Sequence, residues 1–202
     1  MNLTSAFDIH INGLIASSGL GPVQGAGSPG STNFGQGGTY GGSGGRLCNN
    51  THYSDVTSQI GTVDVLEDLY APYSYVGPSM GSGGGKKGAG QGGGRIILAA
   101  KRNVFVCDYC SVEAEGSEAT EFGAGAGSGG SITVIAKNFL NRGEFSVKGG
   151  DHVGNPIFGG GGGGGGGGGR ISINVSIVGY DGMVLIVFCL VAASYQDSNV
   201  LQ

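Results

Sequence analysis

The 202 residues contain no tryptophan, aromatic residues are 8% of the chain, and charged residues only 12%. A chain this poor in large apolar side chains cannot enclose a broad three-dimensional core. It needs an architecture that buries a thin apolar strip by stacking, or it stays disordered because too little surface is buried to offset chain entropy. Basic residues are scarce too: 10 Lys and Arg face 14 Asp and Glu, for a net charge of −4. That balance removes the electrostatic case for nucleic acid as a partner. Arg46, Arg95 and Arg170 each follow glycine and precede Leu or Ile. They read as residues that open a strand, not as an RNA-binding glycine–arginine tract.

Four cysteines, Cys48, Cys107, Cys110 and Cys189, are too few for a disulfide framework. Long apolar runs are also missing. The exception, Met183–Ala193, has 11 residues and meets Asp181 and two glycines upstream; a membrane span needs about 20. It reads as a buried last strand, the start of an anchoring segment, or a truncated tail. The first residues lack the basic stretch and continuous apolar core of a signal peptide. An extracellular protein of this sequence would therefore be a fragment or a partial gene product.

Glycine is what the sequence has in excess, with 47 residues, roughly three times ordinary usage. It is distributed between short blocks of period-two alternation. Gly94–Ala100 (GRIILAA) aligns with Gly130–Ala136 (GSITVIA) and with Gly169–Val175 (GRISINV). Ile96 and Ile132 are 36 residues apart, and Ile132 and Ile171 are 39 apart, the longer interval holding extra glycine in the 159–169 run. Ile96, Leu98 and Ala100, Ile132, Val134 and Ala136, and Ile171, Ile173 and Val175 fall on alternate positions, as strands with one buried face require. A second block follows each copy, at 104–116, 139–150 and, more loosely, 177–190. Residues 7–19 (FDIHINGLIASSG) alternate at Ile9 and Ile11, turn at Asn12-Gly13 and resume at Ile15, and the INGLIASSG part (11–19) resembles the second half of the unit.

A strand pair of this size is marginal alone, whereas copies at fixed spacing bury their strips against one another. The pattern predicts an all-β fold, a repetitive parallel β-helix (β-solenoid) with long glycine-rich loops, and a β-sandwich is the alternative. Glycine runs would supply positive φ and close backbone approach, lying along the flank as polyproline-II segments. Four parts are expected: 1–45 as a partial first repeat and glycine-rich loop, 46–91 as an irregular insertion, 92–176 as the repeats, and 177–202 as a last strand or apolar tail.

The succession GGGRI-x-L-x-A, V-x-A-x-G, GAGAGSGGSI-x-V-x-A, F-S-V-x-GG and GGGGGGRI-x-I resembles the glycine-rich repeat region of large eukaryotic secreted and cell-surface proteins. The resemblance spans about 81–176 and implies an extracellular β-solenoid within a longer protein. It carries over no catalytic residues.

Several motifs with chemical meaning occur, each with a structural reading beside it. Gly25–Gly30 (GAGSPG) matches a dinucleotide-binding fingerprint but lacks the flanking strand and helix. Gly85-Lys86-Lys87 lacks the first glycine and the Ser or Thr of a P-loop. Neither the GAGAGSGGS stretch nor the polyglycine run carries the regularly placed Asp of calcium-binding nonapeptides. Cys107-Asp-Tyr-Cys110 has strand-like flanks and no second cysteine pair, so it reads as a candidate disulfide or buried thiols, not a zinc or redox motif. Asn2, Asn49 and Asn174 head N-glycosylation sequons. Asp108, Glu113, Glu115, Lys148, Asp151 and His152 would be the side chains of a polysaccharide-cleaving groove on one outer face, whereas His10 and His52 are isolated. Alternating charges on an outer face are more simply solvated surface.

The functional expectation is a non-enzymatic structural or adhesive module without cofactor or metal. Its partners would be extracellular matrix, glycans or other surface proteins, with a membrane only if a larger parent chain is anchored. A polysaccharide lyase or hydrolase is the alternative, and an unstructured glycine-rich filler is a third.

Overall fold

The fold comes from a computed structural model, which describes residues 1–23, 37–38, 40, 44, 80–85, 87–151 and 165–176. Cys48, Asn49, His52, His152, Cys189, the segment 46–79 and the apolar run 183–193 lie outside the described residues.

Ten short strands follow one another: β1 (Asn2–Ser5), β2 (Ile9–Ile11), β3 (Leu14–Ala16), β4 (Arg95–Ala100), β5 (Asn103–Val106), β6 (Ser111–Glu113), β7 (Ser131–Ala136), β8 (Asn138–Asn141), β9 (Glu144–Ser146) and β10 (Arg170–Val175). No helix occurs among the described residues. The strands sort into three sheets, β1-β4-β7-β10, β2-β5-β8 and β3-β6-β9. Every ladder is parallel, whereas a β-sandwich is assembled from antiparallel strands. The chain thus passes through one strand of each sheet in turn, and each triplet lays its strands beside those of the previous triplet.

Register follows the sequence alignment. Ile132 is the partner of both Ile96 and Ile171, and Val134 of both Leu98 and Ile173. In the other sheets Ile11 pairs with Val106, and Ile15 with Val112, so 9–16 is the counterpart of the later blocks. Strand β1 was not recognised in the sequence; its short, polar NLTS holds a single large apolar residue.

The width of each corner sets how far the register drifts. Two residues, Lys101 and Arg102, join β4 to β5, but only Lys137 joins β7 to β8. Residues 107–110 join β5 to β6, but only Arg142 and Gly143 join β8 to β9. Partners are accordingly 36 residues apart in the first sheet (Arg95 and Ser131), 35 in the second (Asn103 and Asn138) and 33 in the third (Ser111 and Glu144).

Between the sheets lies a narrow core. Ile96, Leu98, Val104, Val112, Ile132 and Val134 are completely buried, and Phe139, Phe145 and Ile173 pack against them. Each such aliphatic side chain contributes about 1.5–3 kcal/mol relative to exposure. Phe139 and Phe145 meet edge to face at 5.7 Å, a favourable geometry for two rings.

The glycine segments form the other half of the fold. In 124–130 the direction of hydrogen-bond donation repeats every three residues. Gly125 and Ser128 donate to Gly85 and Ser82, at 3.0 and 2.9 Å. Gly127 and Gly130 donate to Ser117 and Ala114, at 3.0 and 2.7 Å, and Gly129 donates to Gly167 at 2.9 Å. Carbonyls of the same segment accept from Gly90, Gly93, Gly38 and Gly150. One extended run is thereby bonded to six neighbouring stretches of chain. Three residues per turn is the period of polyproline II, which has no internal hydrogen bonds and leaves its backbone free to serve neighbours on all sides.

Glycine is needed in this lattice chiefly for close approach. Among the described glycines only Gly19, Gly88 and Gly123 have positive φ. At Gly127 a Cβ would collide with the Gln91 carbonyl, and at Gly130 with the Gly94 carbonyl. Any larger residue would push adjacent chains apart and break the hydrogen bonds between them.

Candidate functional site

With the inner faces filled, the chemistry available to a partner lies on the outer faces and corners. The outer face of the first sheet is partly covered. Ser131 and Thr133 are buried although they point away from the core, and the Arg170 guanidinium lies over the buried Tyr40 ring at 4.5 Å.

The third sheet and the glycine segments beside it carry the acidic side chains. Glu113 lies on β6, with its carboxylate accepting from the Ser111 hydroxyl at 2.8 Å. Glu115 follows it, accepting a short hydrogen bond from the Ser146 hydroxyl of the next triplet. Lys148 pairs with Glu144 at 3.7 Å, with both side chains more than half exposed, a geometry that contributes little to stability. Asp151 is exposed at the end of the next glycine segment, and its carbonyl accepts from Ala119. Asp108 lies elsewhere, in the corner between β5 and β6, where it meets Arg142 at 3.7 Å. The residues proposed for a cleaving groove therefore divide between two regions, and Glu113 and Glu115 are each hydrogen-bonded to a serine. Among the described residues, no group of three or more His, Cys, Asp or Glu has the arrangement of a metal site.

Cys107 and Cys110 are joined by a disulfide across the same corner, with Cα atoms 5.3 Å apart. This is the corner that is two residues wider than its counterpart at Arg142-Gly143. Tyr109, inside the closed loop, has φ of 63° and a fully exposed side chain. Of the sequon asparagines, Asn2 is exposed on the edge strand β1 and Asn174 half-buried on β10.

The second sheet carries two outward rows. His10, Phe105 and Leu140 are register partners on β2, β5 and β8. The His10 and Phe105 rings stack at 4.7 Å with 25° between their planes, and Leu140 is 48% exposed. Beside them runs a polar ladder. The Asn138 side-chain amide donates to the Asn103 side-chain carbonyl at 2.8 Å, and the Asn103 amide donates to the Asp8 carboxylate at 2.7 Å. The Asn103 backbone N–H donates to the same oxygen at 3.1 Å, and Arg102 approaches it at 3.8 Å. Neither row was singled out from the sequence. Aligning 8–11 with 103–106 and 138–141 by their inward residues would have exposed both, because the outward residues then fall into line.

The chain matches no family model, no curated protein and no solved structure.

Among the described residues no helix is long and apolar enough to cross a membrane.

Proposed function

We propose that this chain is a non-enzymatic structural and adhesive module: a β-solenoid built of glycine-rich repeats, belonging to a longer secreted or cell-surface protein. The observation that carries the reading is the shared register of Ile96, Ile132 and Ile171 within continuous parallel ladders. Units that bury their strip only against the next unit extend in one direction and present repeated outer faces, as a rod-like spacer or adhesin needs. The glycine lattice adds a second packed layer that gives such a rod stiffness without large side chains. An oxidising location is favoured by the Cys107–Cys110 disulfide and by sequons at Asn2 and Asn174.

Thermal unfolding followed by circular dichroism, combined with a polysaccharide-depolymerisation assay, tests the reading. The expected result is one cooperative transition with a β-type spectrum and no turnover. A non-cooperative melt would replace the solenoid with glycine-rich filler. Turnover abolished by Glu113→Gln or Asp151→Asn would make the chain an enzyme.

A further inference from the structure

We propose that the outer face of the β2-β5-β8 sheet binds an acidic polysaccharide, with sugar rings packed against the outward edges of the stacked His10 and Phe105 rings and against Leu140, and carboxylates held by Lys101 and Lys137. The proposal rests on the adhesive reading and names the partner class and the face.

A strand with one face on the core and the other toward water ordinarily alternates apolar and polar residues, the polar ones outward. This face instead carries a stacked ring pair and a half-exposed leucine. Phe7, 66% exposed, precedes Asp8 at one end of the ladder, and the fully exposed Tyr109 stands at the opposite corner. None of these five side chains belongs to the buried core cluster, so packing inside the fold does not explain them. Apolar side chains left partly or fully exposed in register on three neighbouring strands are the kind of surface that marks an interaction site.

The row also has a direction. It crosses the strands, so its members recur at the inter-strand spacing of about 4.8 Å. A surface that repeats along one axis suits an extended, repeating ligand lying across the strands, more than a compact one.

Charge selects the kind of polymer. Lys101 and Lys137 occupy the successive corners that lead into β5 and β8 and are both exposed. Among the described residues neither has an ion-pair partner, while Asp8 and Asp108 are already engaged by Arg102 and Arg142. This edge is therefore cationic in a chain whose net charge is −4. The β6 and β9 side, with Glu113, Glu115, Glu144 and Asp151, repels the same ligand. Nucleic acid fits less well, because its affinity depends on many phosphate contacts and two free lysines supply few. A polymer with sparse carboxylates and sugar rings matches both the cations and the rings.

The test measures binding of the full chain to immobilised polygalacturonate, with neutral glucan and single-stranded poly(dT) as competitors, and follows every protein by thermal melting. Two variants probe the face: Lys101→Gln with Lys137→Gln, and Phe105→Thr with Leu140→Thr. Expected are saturable, salt-sensitive binding, competition by neither neutral glucan nor poly(dT), and a loss of about tenfold or more in affinity for each variant, with melting still cooperative. A cooperatively melting chain that ignores polygalacturonate, or variants that bind it as well as the parent, would overturn this inference and leave the structural reading standing. Stronger binding to neutral glucan or poly(dT) would also overturn it. A parent chain without cooperative melting would remove the structural reading itself.

Discussion

The Ser128 hydroxyl sits between the two backbone polar groups of Ser82, accepting from its N–H at 2.8 Å and donating to its carbonyl at 3.3 Å. The Ser128 N–H donates to that carbonyl as well, at 2.9 Å. Both residues are completely buried. Ser128→Ala keeps the size of the site but leaves the Ser82 N–H without this acceptor. A buried donor deprived of its partner costs about 1–3 kcal/mol, and the melting temperature should fall accordingly. An unchanged melting temperature would mean that water reaches the lattice at this point.

Ser17 predicts the opposite sign. Its hydroxyl is buried, with 3% of the residue exposed, and has no hydrogen-bond partner among the described residues. Its backbone carbonyl nevertheless accepts from Gly94 at 2.8 Å, so the main chain is held without it. Ser17→Ala removes a desolvated hydroxyl and keeps that bond. Stability should rise by about 1 kcal/mol, read as a higher midpoint in urea unfolding.

Two glycines separate the roles that glycine plays here. At Gly127 a methyl group would run into the Gln91 carbonyl, a backbone atom held by the Ser117 N–H at 2.9 Å. At Gly13, in the corner between β2 and β3, nothing lies within 4 Å of the same position, and φ is not positive. Gly127→Ala is expected to cost several kcal/mol or prevent folding. Gly13→Ala should instead stabilise by about 0.4–1 kcal/mol through the unfolded chain. Comparing the yields and melting temperatures of the two proteins decides it.

The sheets were legible in the sequence because period two and a constant spacing are both visible without coordinates. Ile96, Ile132 and Ile171 announce their register by themselves. The glycine lattice was only half legible. Polyproline-II segments could be anticipated from composition, but which N–H serves which carbonyl depends on how six stretches of chain meet around Gly125–Gly130, and glycine has no side chain to record its neighbours. The polar ladder was hidden for another reason. Asp8, Asn103 and Asn138 each stand one residue before the first inward residue of their strand (Ile9, Val104, Phe139), so an alignment that begins at that residue leaves them out. The row of His10, Phe105 and Leu140 was overlooked because attention to a buried strip discards the positions that face outward.

The four-residue corner at 107–110 makes its own prediction through Tyr109. Its φ of 63° lies in the left-handed region, and its side chain is fully exposed. Replacing it therefore changes backbone strain without removing core packing. Left-handed backbone costs an ordinary residue about 1–2 kcal/mol and is worse for a β-branched one. Tyr109→Val should lower the melting temperature. Tyr109→Gly should hold or raise it, since relief of strain offsets the added freedom of the unfolded chain. The disulfide limits how far the corner can relax around valine, so reduction with dithiothreitol should narrow the gap between the two variants while lowering both. Closing a loop of four residues is worth about 2 kcal/mol on chain-entropy grounds, which sets the size of that common drop. Equal melting temperatures for the valine and glycine proteins would show that the corner adopts another backbone conformation.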